Sequence, residues 1–131
     1  MSYQGKKIAG VWMDKKHAFI IGTADRNAEG DYAILKKIER ELHDDEKYKN
    51  ERFELAKEKL ELKKYFKAIS DEIEQDDVIF IFGPGKAQEE LKNVLKDILK
   101  FKSKVIEIGT SDKISTNQMI ARVKEYFLNL N

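Results

Sequence analysis

One run of five residues, Val-Ile-Phe-Ile-Phe at positions 78–82, constrains the fold of this chain more than any other segment. The run is continuously apolar and consists of β-branched and aromatic side chains, which is the pattern of a strand buried on both faces inside a parallel sheet. Segments with helical spacing of apolar residues lie on both sides of it, at 53–75 and 86–100. A strand that alternates with helices in this way predicts an α/β domain.

Three further strands are predicted before the first helical segment. Short apolar or alternating runs occupy residues 8–13, 18–23 and 32–40. Turn-forming residues separate them, at 14–16 and 25–31. Because the connections are short, the three strands should pair as an antiparallel meander.

The last part of the chain continues the alternation of strands and helices. A short strand is predicted at residues 105–108, stopped by Gly109, and a final helix follows Ser115. Ser115 and Gln118 have the spacing of a capping box, in which each side chain accepts a hydrogen bond from the backbone N–H of the other residue.

The resulting order is βββαβαβα, without a repeat or a linker, so we expect a single domain over residues 1–131. Three meandering strands followed by two right-handed crossovers predict a mixed five-stranded sheet in the order 3-2-1-4-5, with strand 2 antiparallel to strand 1 and helices on both faces. This is the ribonuclease H-like arrangement. A flavodoxin-like sheet would need a helix between the first strands, and residues 13–32 show no helical period.

The charges of the chain nearly cancel, with 25 basic and 24 acidic side chains and a net charge of +1. This balance gives no support to nucleic-acid binding, although a local basic surface can still form on folding, and we expect no DNA partner. Without cysteine, the chain has no disulfide, no thiolate metal site and no cysteine nucleophile. Its apolar runs are too short for a bilayer and its start lacks the apolar stretch of a signal peptide. We therefore expect a cytoplasmic protein with no membrane partner.

One group of candidate ligand-binding residues follows from the predicted sheet. The carboxyl ends of strands 1, 4 and 5 lie at one edge, where ligands of open α/β sheets tend to bind. The turn Gly83-Pro84-Gly85-Lys86 opens a helix, so its backbone N–H groups and its lysine are suited to a phosphate or another small anion. The candidate set is Asp14, Gly83, Gly85, Lys86 and Asp112. The spacing is not that of a Walker motif, and an ordinary tight turn explains the same glycines.

Catalytic sites find little support in the sequence. A two-metal nuclease site on this fold would need inward-facing acids in the first strand, on the first helix and at the end of the fourth strand. Asp14 falls in a turn, and Phe82-Gly83 supplies no acid. His17 and His43 lack a neighbouring serine or cysteine in a recognisable pattern. We expect no enzymatic activity, no metal and no cofactor.

Three segments resemble a known group of proteins. They are GVWMDKKHAFII, DDVIFIFGPGKAQEEL and STNQMIARVKEYF, beginning at residues 10, 76 and 115. They look like small bacterial proteins labelled translational machinery proteins. These are similar in turn to the central domain of the class I peptide release factor of archaea and eukaryotes, and to its ribosome-rescue relative. The resemblance runs from about Ile8 to Phe127 and implies a ribonuclease H-like fold and a task in translation.

The same resemblance argues against peptide release. In the release factor, a loop between the third strand and the first long helix carries Gly-Gly-Gln, and the matching residues 43–53 contain neither glycine nor glutamine. A domain reduced in this way would keep a surface for ribosomal RNA or tRNA, with phosphate contacts from basic side chains. The candidates are Lys47, Lys49, Arg52, Lys59 and Lys63.

Glutamates are interleaved with these basic residues, so an ordinary solvent-exposed helix face also explains them. The expected function is that of a non-catalytic adaptor that binds the ribosome, tRNA or a protein of the translation apparatus. Self-association of the chain stays open.

Overall fold

Five strands form the centre of the computed structural model, which describes residues 5–41 and 51–129, without the side chains of residues 51–53 and 129. They are β1 (Ile8–Met13), β2 (His17–Gly22), β3 (Ala33–Glu39), β4 (Val78–Gly83) and β5 (Val105–Thr110). Their order in the sheet is β3-β2-β1-β4-β5. Strand β2 is antiparallel to β1 and β3, whereas β1, β4 and β5 run parallel to one another. The predicted ribonuclease H-like strand order is confirmed.

Helices pack on both faces of the sheet. They are α1 (Glu51–Ile73), α2 (Ala87–Lys96) and α3 (Thr116–Asn129). Side chains of α1 and α2 join the core on one face with Ile79 and Ile81, and α3 packs on the other face against Phe80 and Phe82. The alternation of β4 therefore buries both sides of the strand, as its continuous apolar sequence predicted. None of the helices described is long and apolar enough to cross a membrane.

The predicted start of α3 is confirmed, whereas the predicted end of α2 is wrong. The capping box of α3 is formed, because Ser115 N–H donates to Gln118 Oε1 at 2.9 Å and Gln118 N–H donates to Ser115 Oγ at 3.2 Å. Helix α2 ends at Lys96, four residues before its predicted end. The backbone of Ile98 is extended, and a short 3₁₀ turn at Leu99–Phe101 buries Phe101 in its place. Tertiary packing of that ring overrides the local helical spacing.

Strand β5 continues through Gly109 to Thr110, so the prediction that Gly109 stops the strand is wrong. A Cβ atom at this position would lie 2.8 Å from Cε1 of Phe80 on the neighbouring strand. The glycine therefore makes room for an aromatic ring, which is a packing role and not a turn.

Helix α1 is longer than the sheet beside it. Its 23 residues span about 35 Å, whereas a six-residue strand spans about 20 Å. Tyr65 marks the level at which the helix passes the carboxyl end of β1, because its hydroxyl donates to the Asp14 carbonyl oxygen at 2.9 Å. Residues 54–60 extend further in this direction, and their predicted apolar stripe is not buried, since Leu60 is 52% exposed. We call residues 54–60 the projecting segment.

The carboxyl ends of β1 and β4 leave no room for a side chain at Gly83. A Cβ atom on Gly83 would lie only 1.9 Å from the backbone oxygen of Met13. The Gly83 carbonyl oxygen accepts hydrogen bonds from Ser111 N–H at 3.0 Å and from Gln88 Nε2 at 3.0 Å. A glycine at this position therefore lets three chain segments meet.

Substituting the two glycines of the β4–α2 turn should separate packing from turn formation. Gly83→Ala should lower the free energy of unfolding by about 3 kcal/mol, because the methyl group would overlap a backbone oxygen that cannot rotate away. Gly85→Ala is the matched control: nothing lies within 4 Å of the added atom, and stability should stay unchanged or rise by up to about 1 kcal/mol. Urea denaturation of both variants measures the difference, and equal stabilities would contradict the close approach.

A buried ion pair lies at the opposite end of the sheet, before β4. Asp76 is fully buried, and its Oδ2 accepts a hydrogen bond from Arg26 Nη1 at 2.7 Å. Its Oδ1 has no hydrogen-bond partner among the described residues. Burial raises the pKa of Asp76 to about 6, against the opposing attraction of Arg26.

This carboxyl group should make stability depend on pH. Its pKa is about 6 in the folded chain and about 4 when unfolded, so the folded state binds the proton more tightly between these values. The stabilising contribution is fully present below pH 4 and is lost as the pH rises through 6. Asp76→Asn should remove this component while keeping an acceptor for Arg26, whereas Asp97→Asn, at an exposed position, should preserve it. Thermal melts from pH 4 to 7 test this, and an unchanged pH dependence in Asp76→Asn would refute it.

Candidate anion-binding site at the carboxyl edge of the sheet

The loops that follow the parallel strands β1, β4 and β5 surround a surface pocket of about 400 Å³. The pocket lies at the edge where the sequence predicted a ligand site. Its lining consists of Asp14, Lys15, Lys16 and His17 from the β1–β2 turn, Pro84, Gly85, Lys86 and Ala87 from the β4–α2 turn, and Lys113 from the loop after β5.

Asp14 organises the β1–β2 turn. Its Oδ1 accepts hydrogen bonds from the backbone N–H groups of Lys16 and His17, both at 2.7 Å, and its Oδ2 lies 3.5 Å from His17 Nδ1. Partial burial by itself would raise the pKa of Asp14, but the hydrogen bonds from His17 and Lys16 outweigh it and the pKa is lowered. The carboxylate fixes the turn that carries Lys15 and Lys16, and its negative charge is unsuited to contact an anion directly.

The predicted turn residues take different places. Gly85 and Lys86 line the pocket, whereas Gly83 is buried behind it and serves the contact with Met13. Lys86 is the N-cap residue of α2, and among the described residues no side chain caps this end of the helix. This positive end of the helix is therefore without a side-chain cap, which favours a negative charge beside it.

Asp112 is exposed and does not line the pocket; the next residue, Lys113, does. Sequence reasoning missed Lys113 as well as Lys15 and Lys16. The signal was present, since lysines directly follow Asp14 and Asp112 in loops that the predicted topology places at one edge.

The four lysines of the pocket share one electrostatic feature. Among the described residues, Lys15, Lys16, Lys86 and Lys113 form no ion pair with a carboxylate, and the same holds for other exposed lysines such as Lys102 and Lys124. What distinguishes the four is that they border one pocket. The only acid in the pocket lining, Asp14, already accepts two backbone hydrogen bonds. The pocket is thus a concentration of positive charge on a chain whose net charge is +1.

The side chains of the pocket lining are suited to binding an anion. Asp14 and His17 form a pair of the kind that orients a catalytic base, but the lining contains no serine, threonine or cysteine for such a base to activate. Over the two described ranges, no three histidine, aspartate or glutamate side chains come together as a metal site. Lysine amines and an uncapped helix N-terminus are suited to hold an anion.

Lys59 and Lys63, of the second group of predicted residues, lie on α1. Both are exposed and line a separate groove of about 710 Å³ between α1 and the segment from α2 to the 3₁₀ turn, with Phe66 and Ile98 in its walls. Lys47, Lys49 and the side chain of Arg52 lie outside the described residues. The structure therefore does not bring Lys59 or Lys63 into the pocket, although the projecting segment extends from the same end of the sheet.

Comparison with known proteins shows a likeness in fold. No protein-family model matches the sequence, and no curated protein is significantly similar to it. The chain is similar to the structure of Archaeoglobus fulgidus Pelota, with a TM-score of 0.54 and 11% identity, over 95% of this chain and 34% of that one. It is also similar to an archaeal translation termination factor, with a TM-score of 0.52 and 15% identity, over 92% of this chain and 35% of that one.

The chain thus spans about one third of the length of each of these two proteins. At such low identities the likeness establishes the fold. The expected resemblance to release-factor domains is confirmed at this structural level, and membership of the bacterial family stays a prediction.

Proposed function

We propose that this chain is a non-catalytic adaptor domain that binds RNA of the translation apparatus, either in the ribosome or in tRNA. The observation that carries the proposal is the fold similarity, over more than nine tenths of the chain, to Pelota and to a translation termination factor. Fold alone does not determine function, so the charges of the surface must also fit.

The surface charges at one end of the molecule support an RNA-binding role. The pocket lysines and the projecting segment of α1 lie at the carboxyl end of the parallel strands, with Tyr65 linking the two. Arg40 joins the same region, because its guanidinium donates to the carbonyl oxygens of Lys15 at 3.4 Å and Glu58 at 3.2 Å. Residues 54–60 carry two glutamates and two lysines, so the positive charge of this end comes from the pocket lysines and Arg40. Basic side chains gathered on one surface are the electrostatic pattern of phosphate binding.

The absence of catalysis is part of the proposal. Residues 43–53 contain neither glycine nor glutamine, so the chain lacks a Gly-Gly-Gln loop. The nuclease alternative is disfavoured because the Asp14 carboxylate accepts hydrogen bonds from its own turn and β4 ends in Phe82-Gly83 without an acid. A ribonuclease H-like topology can then serve as a binding scaffold.

A second candidate function is that of a small-anion or phosphate-binding domain, without a role in translation. The pocket beside the N-terminus of α2 favours it specifically, because a positive helix end and lysines are common features of such sites. The two functions differ in the partner that they require, and a ribosome-binding measurement distinguishes them.

Co-sedimentation with purified bacterial ribosomes at two salt concentrations tests the adaptor function. We expect the chain to pellet with ribosomes at about 50 mM salt and to stay largely in the supernatant at about 200 mM, since about four phosphate contacts would weaken binding roughly a hundredfold over this range. A chain that stays in the supernatant at both concentrations would argue against the adaptor function.

The contribution of α1 is tested in the same assay with Lys59→Glu and Lys63→Glu combined. These side chains are exposed, so the melting temperature should hardly change while the pelleted fraction at low salt falls. Lys102→Glu with Lys124→Glu changes the net charge equally at exposed positions elsewhere and should pellet like the parent. Equal loss in both double variants would mean that net charge alone attracts the ribosome.

A further inference from the structure

The pocket at the carboxyl edge gathers like charges at one place on a chain whose net charge is close to zero. Four lysines border one concavity of about 400 Å³ without a carboxylate partner among the described residues. Like charges in one concavity repel one another, and solvent and salt reduce this repulsion by screening. The chain has 24 acidic side chains, so acids to neutralise the pocket are not scarce. Such an arrangement is typical of a site whose stability cost is offset by binding.

Three separate loops supply the lysines of the pocket. The β1–β2 turn carries Lys15 and Lys16 and is fixed by the two hydrogen bonds to Asp14. The β4–α2 turn carries Lys86 and is fixed by the contact of Gly83 with β1. Lys113 follows the segment in which Ser111 N–H bonds to the Gly83 carbonyl oxygen. The amines are therefore attached to backbone that is already ordered, which reduces the entropic cost of binding.

The backbone of α2 adds a further positive element on the same side. Lys86 and Ala87 both line the pocket, so the first turn of α2 faces it. The uncapped N–H groups of this turn and the positive end of the helix dipole favour a negatively charged ligand. Lys86 belongs to both the helix end and the lysine cluster, whereas Lys15, Lys16 and Lys113 come from other loops, and all of these features favour the same chemistry.

We propose that this pocket, bordered by Lys15, Lys16, Lys86 and Lys113, binds a phosphate group of the RNA backbone. A free phosphate ion and a phosphate group of RNA would be bound by the same side chains. The choice of RNA rests on the function proposed above. Two features favour a backbone phosphate over a free one. The lysines stand exposed around an open concavity, and flexible point charges of this kind attract a polyanion strongly but select poorly for a small anion.

The second feature is the lack of a means to read bases. Within the described lining, His17 is the only side chain with an aromatic ring, and no asparagine, glutamine or arginine is present. Sequence-specific recognition of single-stranded RNA uses stacking on aromatic rings and hydrogen bonds to base edges. The pocket therefore binds the backbone irrespective of sequence, and it orients the domain on its RNA in the way that phosphate contacts do.

The test compares a pocket variant with a control variant of equal charge. The pocket variant combines Lys16→Glu and Lys86→Glu, one residue from each wall, and the control combines Lys102→Glu and Lys124→Glu, at exposed positions outside the pocket. Binding of fluorescent oligouridylate is followed by anisotropy over a range of salt. The pocket variant should bind about tenfold or more weakly, as expected for the loss of charged contacts.

The slope of the logarithm of affinity against the logarithm of salt concentration should fall by about 1.4 in the pocket variant, because each phosphate contact with a single strand contributes about 0.7. The control should keep the slope of the parent. Pocket and control variants that lose affinity equally, or a pocket variant that binds like the parent, would overturn the proposal.

Inorganic phosphate is the second probe and identifies the source of the phosphate group. At equal concentration of phosphate groups, oligouridylate should raise the melting temperature of the parent and inorganic phosphate should not, with neither effect in the pocket variant. If inorganic phosphate stabilises the parent but not the pocket variant, and oligouridylate binds no more tightly, the ligand is a free anion and the RNA assignment is wrong.

Melting without a ligand guards against a folding defect. Because the substitutions relieve repulsion, the pocket variant should melt at or above the temperature of the parent. Should the glutamates lower it, Lys16→Gln with Lys86→Gln provides the affinity comparison instead, and the same tenfold loss is required. Failure of the proposed translation role can be distinguished from failure of the pocket proposal. If oligouridylate binds through the pocket but the chain does not co-sediment with ribosomes, the pocket proposal holds and the adaptor function is refuted.

Discussion

The close contact between the backbones of Gly83 and Met13 is the constraint on which the candidate site depends. It brings the carboxyl ends of β1 and β4 together with no side chain between them. The residues that immediately follow each strand, beginning with Asp14 on one side and Pro84 on the other, are then forced to share one edge. Ser111 is drawn to the same point by its hydrogen bond to the Gly83 carbonyl oxygen. Packing of the sheet therefore determines which charges become neighbours.

Much of the fold could be predicted from the sequence because its strongest signals are local. The run at 78–82, the absence of a helical period between β1 and β3, and the capping box at Ser115 each act within a few residues. The errors arise where distant contacts decide. Glycine is a residue type that often ends a strand, which is why the sequence predicted an end at Gly109. In the structure the strand continues through Gly109, and the ring of Phe80 leaves room for no larger residue there.

The site was only partly predictable for the same reason. Topology placed Gly85 and Lys86 at a ligand-binding edge, and the structure brings both into the pocket. Whether a lysine is paired with an acid cannot be read from the sequence of a chain in which both signs are interspersed. The unpaired state of Lys16 and Lys113 becomes visible only when their spatial neighbours are known. Sequence analysis therefore identified the edge and missed most of its charge.

The projecting segment of α1 has a consequence for how such a domain can change over time. Leu55 and Leu60 are more than half exposed there, and little of the hydrophobic core depends on residues 54–60. Ile69 and Ile73, further along the same helix, are fully buried and anchor it to the sheet. Surface substitutions far from the core usually have small effects on stability. One helix thus carries a part under selection for folding and a part free to adapt to a new partner, so related chains could diverge in recognition without losing the shared architecture.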